Sequence, residues 1–104
     1  MSKYSVDITE PAQQDMRDIA RYISAELGAP TSAQGIIDIL ADSMYNLENN
    51  TKRHALVRDD RLAAKGYRVL PIKNYHIFYK VEEETRIVDV VRILYSRRDW
   101  VSLL

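Results

Sequence analysis

Residues 66–100 read GYRVLPIKNYHIFYKVEEETRIVDVVRILYSRRDW, and the period of this stretch decides the fold. GYRVLPI (66–72) and NYHIFYKV (74–81) are rich in β-branched and aromatic residues, with a turn-like Lys73–Asn74 pair between them. Glu82 to Thr85 is a charged tetrapeptide that predicts a hairpin turn. Arg86 to Tyr95 is the longest β-branched run and predicts a central strand. Pro71 has no N–H to give a ladder, so its strand must end, bulge or pair on one side there. Strict alternation puts Tyr75, Ile77, Tyr79 and Val81 on one face and His76, Phe78 and Lys80 on the other. The same rule puts Val88, Val90, Arg92 and Leu94 together, opposite Asp89, Val91, Ile93 and Tyr95.

Upstream of this stretch the period lengthens. Residues 2–9 predict a short strand with Tyr4, Val6 and Ile8 on one side. Thr9 then stands as an N-cap, and Pro11 falls in the first helical turn, where its missing N–H matters little. Ala12, Met16, Ile19, Ala20, Ile23 and Leu27 form one apolar stripe at helical spacing, which Gly28 ends. A second helix is predicted from Pro30 or Thr31 to Leu47, capped by Thr31 or Ser32, with Ala33, Ile36, Ile37, Leu40, Met44 and Leu47 inward. The short link between the helices predicts an antiparallel hairpin. Gly35 marks either a close helix contact or a tolerated defect. His54 to Asp59 predicts an edge strand, and Trp100, Leu103 and Leu104 give the tail apolar anchors. The expectation is a single α+β domain over residues 1–104, an N-terminal helical hairpin packed on an antiparallel β-sheet.

Composition narrows the chemistry. The 104 residues include no cysteine and two histidines, which excludes disulfides, thiolate chemistry and a three-histidine metal centre, so no metal or other cofactor is expected. No apolar run approaches the roughly 18 residues that cross a bilayer, and the first residues lack the apolar block of a signal peptide. A cytoplasmic protein with no membrane partner is the expectation. The formal net charge is zero, yet residues 1–50 carry three Lys/Arg against eight Asp/Glu while residues 51–104 carry twelve against seven. The chain is therefore polarised, with its cations in the sheet half.

Those cations are the candidates for binding. Arg92 is a charge in a run otherwise fit for a core, so it either pairs with Asp89, Asp99 or a helix carboxylate, or it belongs to a basic binding surface. Arg97 and Arg98 follow the strand, and with Arg68, Lys73, Lys80 and His76 they could make a concavity for phosphate. Seven tyrosines add stacking capacity. His76 could serve as a general acid or base, although a lone strand histidine is more often structural. No phosphate-cradling glycine loop, nucleophile elbow or metal-ligand spacing is present. An enzyme built from this inventory would be suited to metal-free phosphodiester cleavage, with cations stabilising the crowded phosphate.

The order of helical hairpin, NYHIFYKV and then RILYSRRD resembles the RelE/ParE superfamily of bacterial toxins from type II toxin–antitoxin modules. The resemblance covers nearly the whole chain and is strongest from Gly66 to Trp100. It implies a small α+β toxin neutralised by a cognate antitoxin. RelE-like members cleave messenger RNA on the ribosome without metal, whereas ParE-like members inhibit DNA gyrase. In the ribonuclease reading, Arg68, His76 and Arg98 (or Arg97, one residue away) match positions of the catalytic surface, and Tyr95 stands in for a tail tyrosine absent from WVSLL. Lys73, Lys80, Arg92 and Arg97 would then hold nucleic acid. Leu70 occupies the place of a second strand lysine. The sequence reading puts messenger RNA cleavage first, gyrase inhibition second, and a non-catalytic protein-binding module third.

Overall fold

The computed structural model describes residues 3–49 and 54–104. Its elements in chain order are β1 (Ser5–Ile8), α1 (Glu10–Arg21), a π-helical turn (Tyr22–Glu26), α2 (Pro30–Tyr45), α3 (Asp60–Ala64), β2 (Tyr67–Ile72), β3 (Tyr75–Glu82) and β4 (Ile87–Tyr95). Short 3₁₀ turns follow α2 at Asn46–Glu48 and close the chain at Val101–Leu103. The strands form one sheet in the order β1-β4-β3-β2. The β2–β3–β4 meander is antiparallel as expected, and β4 is central; β1 joins its far side parallel, Ser5 beside Ile87 and Ile8 beside Val90. A parallel neighbour needs a long crossover, which here is the rest of the molecule.

The helical pair covers one face of this sheet. Ala12, Leu40, Met44 and Leu47 pack against Leu70, Ile77, Tyr79, Val88, Val90 and Ile93, all buried. The other face is covered by α3 and the C-terminal tail, where Val57, Leu62, Phe78 and Leu94 gather Trp100, Leu103 and Leu104. Phe78 and Trp100 stack with ring centroids 5.1 Å apart, so the expected tail anchors are in place.

Four local expectations are corrected. First, alternation along β4 breaks: Phe78 pairs with Arg92 but Tyr79 with Val90, so Val91 is an extra residue in the ladder. This β-bulge reverses the parity beyond it. Ile93 consequently joins Val88 and Val90 under the helices, while Leu94 turns to the Phe78 side. Second, Leu27 leaves the apolar stripe and stands 59% exposed, because the winding changes at Tyr22 from i−4 to i−5 bonding, as in Leu27 N–H to Tyr22 O at 3.1 Å. Gly28, at φ 62°, ends the turn as anticipated. Third, α2 starts with Pro30 in its first turn and Ala29 at the cap; neither Thr31 nor Ser32 caps it. Thr9 does occupy the cap position of α1, but its hydroxyl donates to Val90 O at 2.8 Å instead. Fourth, the edge strand at 54–59 reduces to a single bridge, Leu56 beside Arg68, flanked by bonds from Val57 N–H to Tyr67 O and from Val69 N–H to Ala55 O. Asp59 there caps α3, accepting from Leu62 N–H at 3.0 Å. Nothing lies within 4 Å of a Cβ built on Gly35, so it marks no close helix contact.

Candidate functional site

Parity along the strands fixes where each candidate points. On β2, Leu70 and Ile72 face the helices while Tyr67 and Val69 face the tail, so Arg68 lies on the helix side. There it sits opposite Tyr79, and its Nη1 donates to His54 O at 2.7 Å. Burial pushes the Tyr79 phenol up, with the Arg68 charge and the His54 backbone opposing the shift. His76 lies on the other face, between Pro71 and Leu94, with its ring 6.0 Å from Phe78. Lys80 shares that face, 3.8 Å from Glu82 and 5.6 Å above the Tyr67 ring.

Arg92 is committed to a helix carboxylate. Its Nε donates to Asp15 Oδ2 at 2.7 Å and its Nη2 to Asp15 Oδ1 at 2.8 Å, a two-pronged pair. Asp15 Oδ2 also accepts Ile93 N–H at 2.9 Å. The arrangement follows from the sheet: β1 ends at Ile8, beside Val90, so β4 beyond that point has no strand on this edge. Thr9 takes Val90 O, and one turn into α1 the Asp15 carboxylate takes the place of the missing strand. The Asp15 hydrogen bond holds the Arg92 guanidinium above its usual range, against the opposing effect of burial.

Where β4 outruns β1, a groove opens between the end of α1, its π-helical turn and the tip of the β2–β3 hairpin. It encloses about 700 Å³. Ile19, Ile23, Ile36 and Ile93 make an apolar floor, and Tyr22, Tyr75 and Tyr95 line it, with the Tyr75 and Tyr95 rings 6.0 Å apart, edge to face. Burial raises the Tyr75 phenol, and the neighbouring Tyr95 and Tyr22 add to the shift. Lys73, at φ 55° in the hairpin turn, and Arg98 stand at the basic rim, with Asp18 across from them. Lys73, Arg97 and Arg98 are exposed, and among the described residues their side chains make no hydrogen bond or ion pair. Tyr95 and Arg98 are thus brought together in the groove. Arg68 and His76 stay outside it, on opposite faces of the sheet. Sequence reasoning missed Tyr22 and Leu27 because a 3.6-residue period assigns Leu27 to the core and says nothing of a change in winding.

At the other end of β4, Asp7 and Asp89 are neighbours in the parallel register. Burial raises Asp89 first, Asp7 and Glu82 raise it further, and Lys80 opposes them. A folded-state pKa above the unfolded one means that the ionised carboxylate weakens the fold above that pKa and ceases to as pH falls through it. Asp89→Asn should therefore raise Tm at pH 7, and the gain over wild type should shrink on acidification toward pH ~4, where unfolded aspartate also titrates. Thermal melts across that range test it; an unchanged or lowered Tm at pH 7 would refute the repulsion.

Among the described residues, no group of three or more His, Asp or Glu could hold a metal ion, and no helix is long and apolar enough to cross a membrane. A family model described as the ParE toxin of the type II toxin–antitoxin system parDE matches residues 6–100. Similar solved structures include the chromosomal ParDE toxin–antitoxin system of P. aeruginosa, at 16% identity and TM-score 0.74, covering 91% of this chain and 98% of that one. The RelBE2 toxin–antitoxin complex of Mycobacterium tuberculosis matches at 17% identity and TM-score 0.66, over 89% and 98%. A free mutant of the E. coli toxin RelE matches at 14% identity and TM-score 0.60, over 91% and 85%. At these identities the likeness is one of fold. No curated protein sequence matches.

Proposed function

The chain belongs to the RelE/ParE family of toxins from type II toxin–antitoxin modules, and from that premise we propose that it arrests growth by binding DNA gyrase, without cleaving nucleic acid. Residues 1–104 act as one cytoplasmic toxin domain that a cognate antitoxin neutralises.

The observation that carries this reading is the separation of the cleavage candidates. Metal-free cleavage of a phosphodiester needs a base, an acid and cations converging within hydrogen-bond reach of one phosphate. Arg68 faces the helices with its guanidinium on His54 O, whereas His76 faces the tail. Tyr95 is on the helix side, but Arg68 lies four residues along β2 from Ile72, whose β3 partner Tyr75 pairs with Tyr95. At about 3.3 Å per residue that is a displacement of roughly 13 Å along the sheet. The match to the ParE model over residues 6–100 favours the same target class.

Two assays on the purified protein separate the targets. Gyrase supercoiling should stop at near-stoichiometric toxin, while messenger RNA on programmed ribosomes stays intact. Cut message with unimpaired supercoiling would reverse the assignment. In cells, DNA synthesis should fail before protein synthesis.

A further inference from the structure

Twelve cations follow residue 50, and the structure divides them. Arg68 donates to His54 O, Lys80 lies beside Glu82, Arg86 sits 5.7 Å over the Tyr4 ring, and Arg92 is held by Asp15. Lys80 and Arg92, expected to hold nucleic acid, are thus committed within the fold. Lys52 and Arg53 lie outside the described residues. The other six are exposed, and their side chains make no hydrogen bond or ion pair among the described residues. They fall into two groups. Arg58, Arg61 and Lys65 stand on and beside α3, which packs over Phe78 through Leu62. Lys73, Arg97 and Arg98 meet at one end of the sheet, because Ser96 N–H donates to Asn74 O at 2.8 Å and ties the β2–β3 turn to the end of β4. Strand β2 joins the two groups, and from Tyr67 to Lys73 it covers about 20 Å at roughly 3.3 Å per residue. Asp59, Asp60 and Asp99 are interspersed, with Asp59 engaged as the cap of α3, so the cations are in excess over this span.

Spacing and neighbours select the ligand. Each strand of a DNA duplex presents a phosphate about every 3.4 Å, so about 20 Å spans roughly six base pairs. Uncommitted cations bind that backbone whatever its sequence. A single strand would in addition need open aromatic faces on which to stack its bases. Among the described residues this surface offers none: Trp100 is stacked on Phe78, His76 stands edge-on to the same ring, and Tyr67 lies under Lys80. The exposed tyrosines are elsewhere, Tyr22 and Tyr95 along the groove and Tyr45 at the end of α2. We propose that α3 and the β2–β3 tip form a binding surface for the phosphate backbone of duplex DNA, so that the toxin grips the DNA which gyrase holds as well as the enzyme. Its use on gyrase rests on the reading above, whereas the contact with DNA is measured without gyrase.

The test is the anisotropy of a labelled duplex of about 20 base pairs titrated with the full chain. Wild type should bind with micromolar Kd at about 50 mM salt and about 20-fold more weakly at about 150 mM, the slope of roughly three phosphate contacts. Arg58→Gln with Arg61→Gln should weaken binding about 10-fold, and so should Arg97→Gln with Arg98→Gln, each pair also flattening the salt dependence. Arg17→Gln with Arg21→Gln removes the same charge from exposed positions on α1 and should leave Kd within about twofold. The α3 pair should also inhibit supercoiling about 10-fold less well while binding DNA-free gyrase as wild type does. No binding to the duplex at about 50 mM salt would overturn the assignment, as would an equal loss in the α1 pair. Tighter binding to a single strand, or competition by polyglutamate as strong as by unlabelled duplex, would overturn it too. Duplex binding by a chain that leaves gyrase active keeps this surface and sinks the gyrase reading; inhibition of gyrase without duplex binding does the reverse.

Discussion

Asp15→Ala should lower stability by about 3–5 kcal/mol, equivalent to a fall in Tm of about 15 °C or more. The Asp15 side chain is 8% exposed and that of Arg92 20%, so the variant strands a largely buried guanidinium with no carboxylate. It also leaves the Ile93 N–H without its acceptor at a point where no strand can supply one. Asp15→Asn keeps an oxygen for one donor and should fall between the two. Replacing both partners, Asp15→Ala with Arg92→Met, should recover much of the loss, since the penalty comes mainly from the orphaned charge. Urea unfolding of the four proteins measures this. A single-variant loss below about 1 kcal/mol would show that the carboxylate is not what fixes α1 to β4.

Phe78→Ala should cost a comparable 3–5 kcal/mol. Phe78 is 1% exposed and fills the space between the sheet and the tail, with Trp100 stacked on it and Leu94 beside it. Trp100 is the chain's single tryptophan, so its fluorescence reports on this cluster alone. In the variant its native-state emission should move to the red as the ring gains water, and proteolysis should clip the tail sooner. Native emission identical to wild type would mean that the tail is held by something other than the stack.

The fold was readable where local pattern and tertiary environment agree. Two amphipathic helices, a Lys73–Asn74 turn and a strand as β-branched as 86–95 announce a helical hairpin on a meander. The C-terminal anchors were legible too, because apolar residues after a charged RRD need a surface. What escaped depends on contacts distant in sequence. A bulge at Val91 leaves no trace in composition; it is set by the pairing with β3 and shows only when Ile93 joins the core of Val88 and Val90. The change in winding at Tyr22 is equally silent, and with it the groove wall. Arg92 was legible as a charge needing a partner, and a helix carboxylate was among those expected, yet nothing in the sequence singles out Asp15, 77 positions away.

The parallel pairing of β1 has a consequence for how the protein is made. Ser5 meets Ile87 across 82 positions, so β1, made before the other three strands of the sheet, waits for the last of them. Contacts that distant in sequence form late, because a long loop must close before they are rewarded. The helical hairpin emerges early with an apolar stripe and no sheet to bury it, and it gains one only when β3 and β4 follow. The chain therefore stays without its core until β4 has emerged, and a message truncated before Ile87 yields no folded toxin.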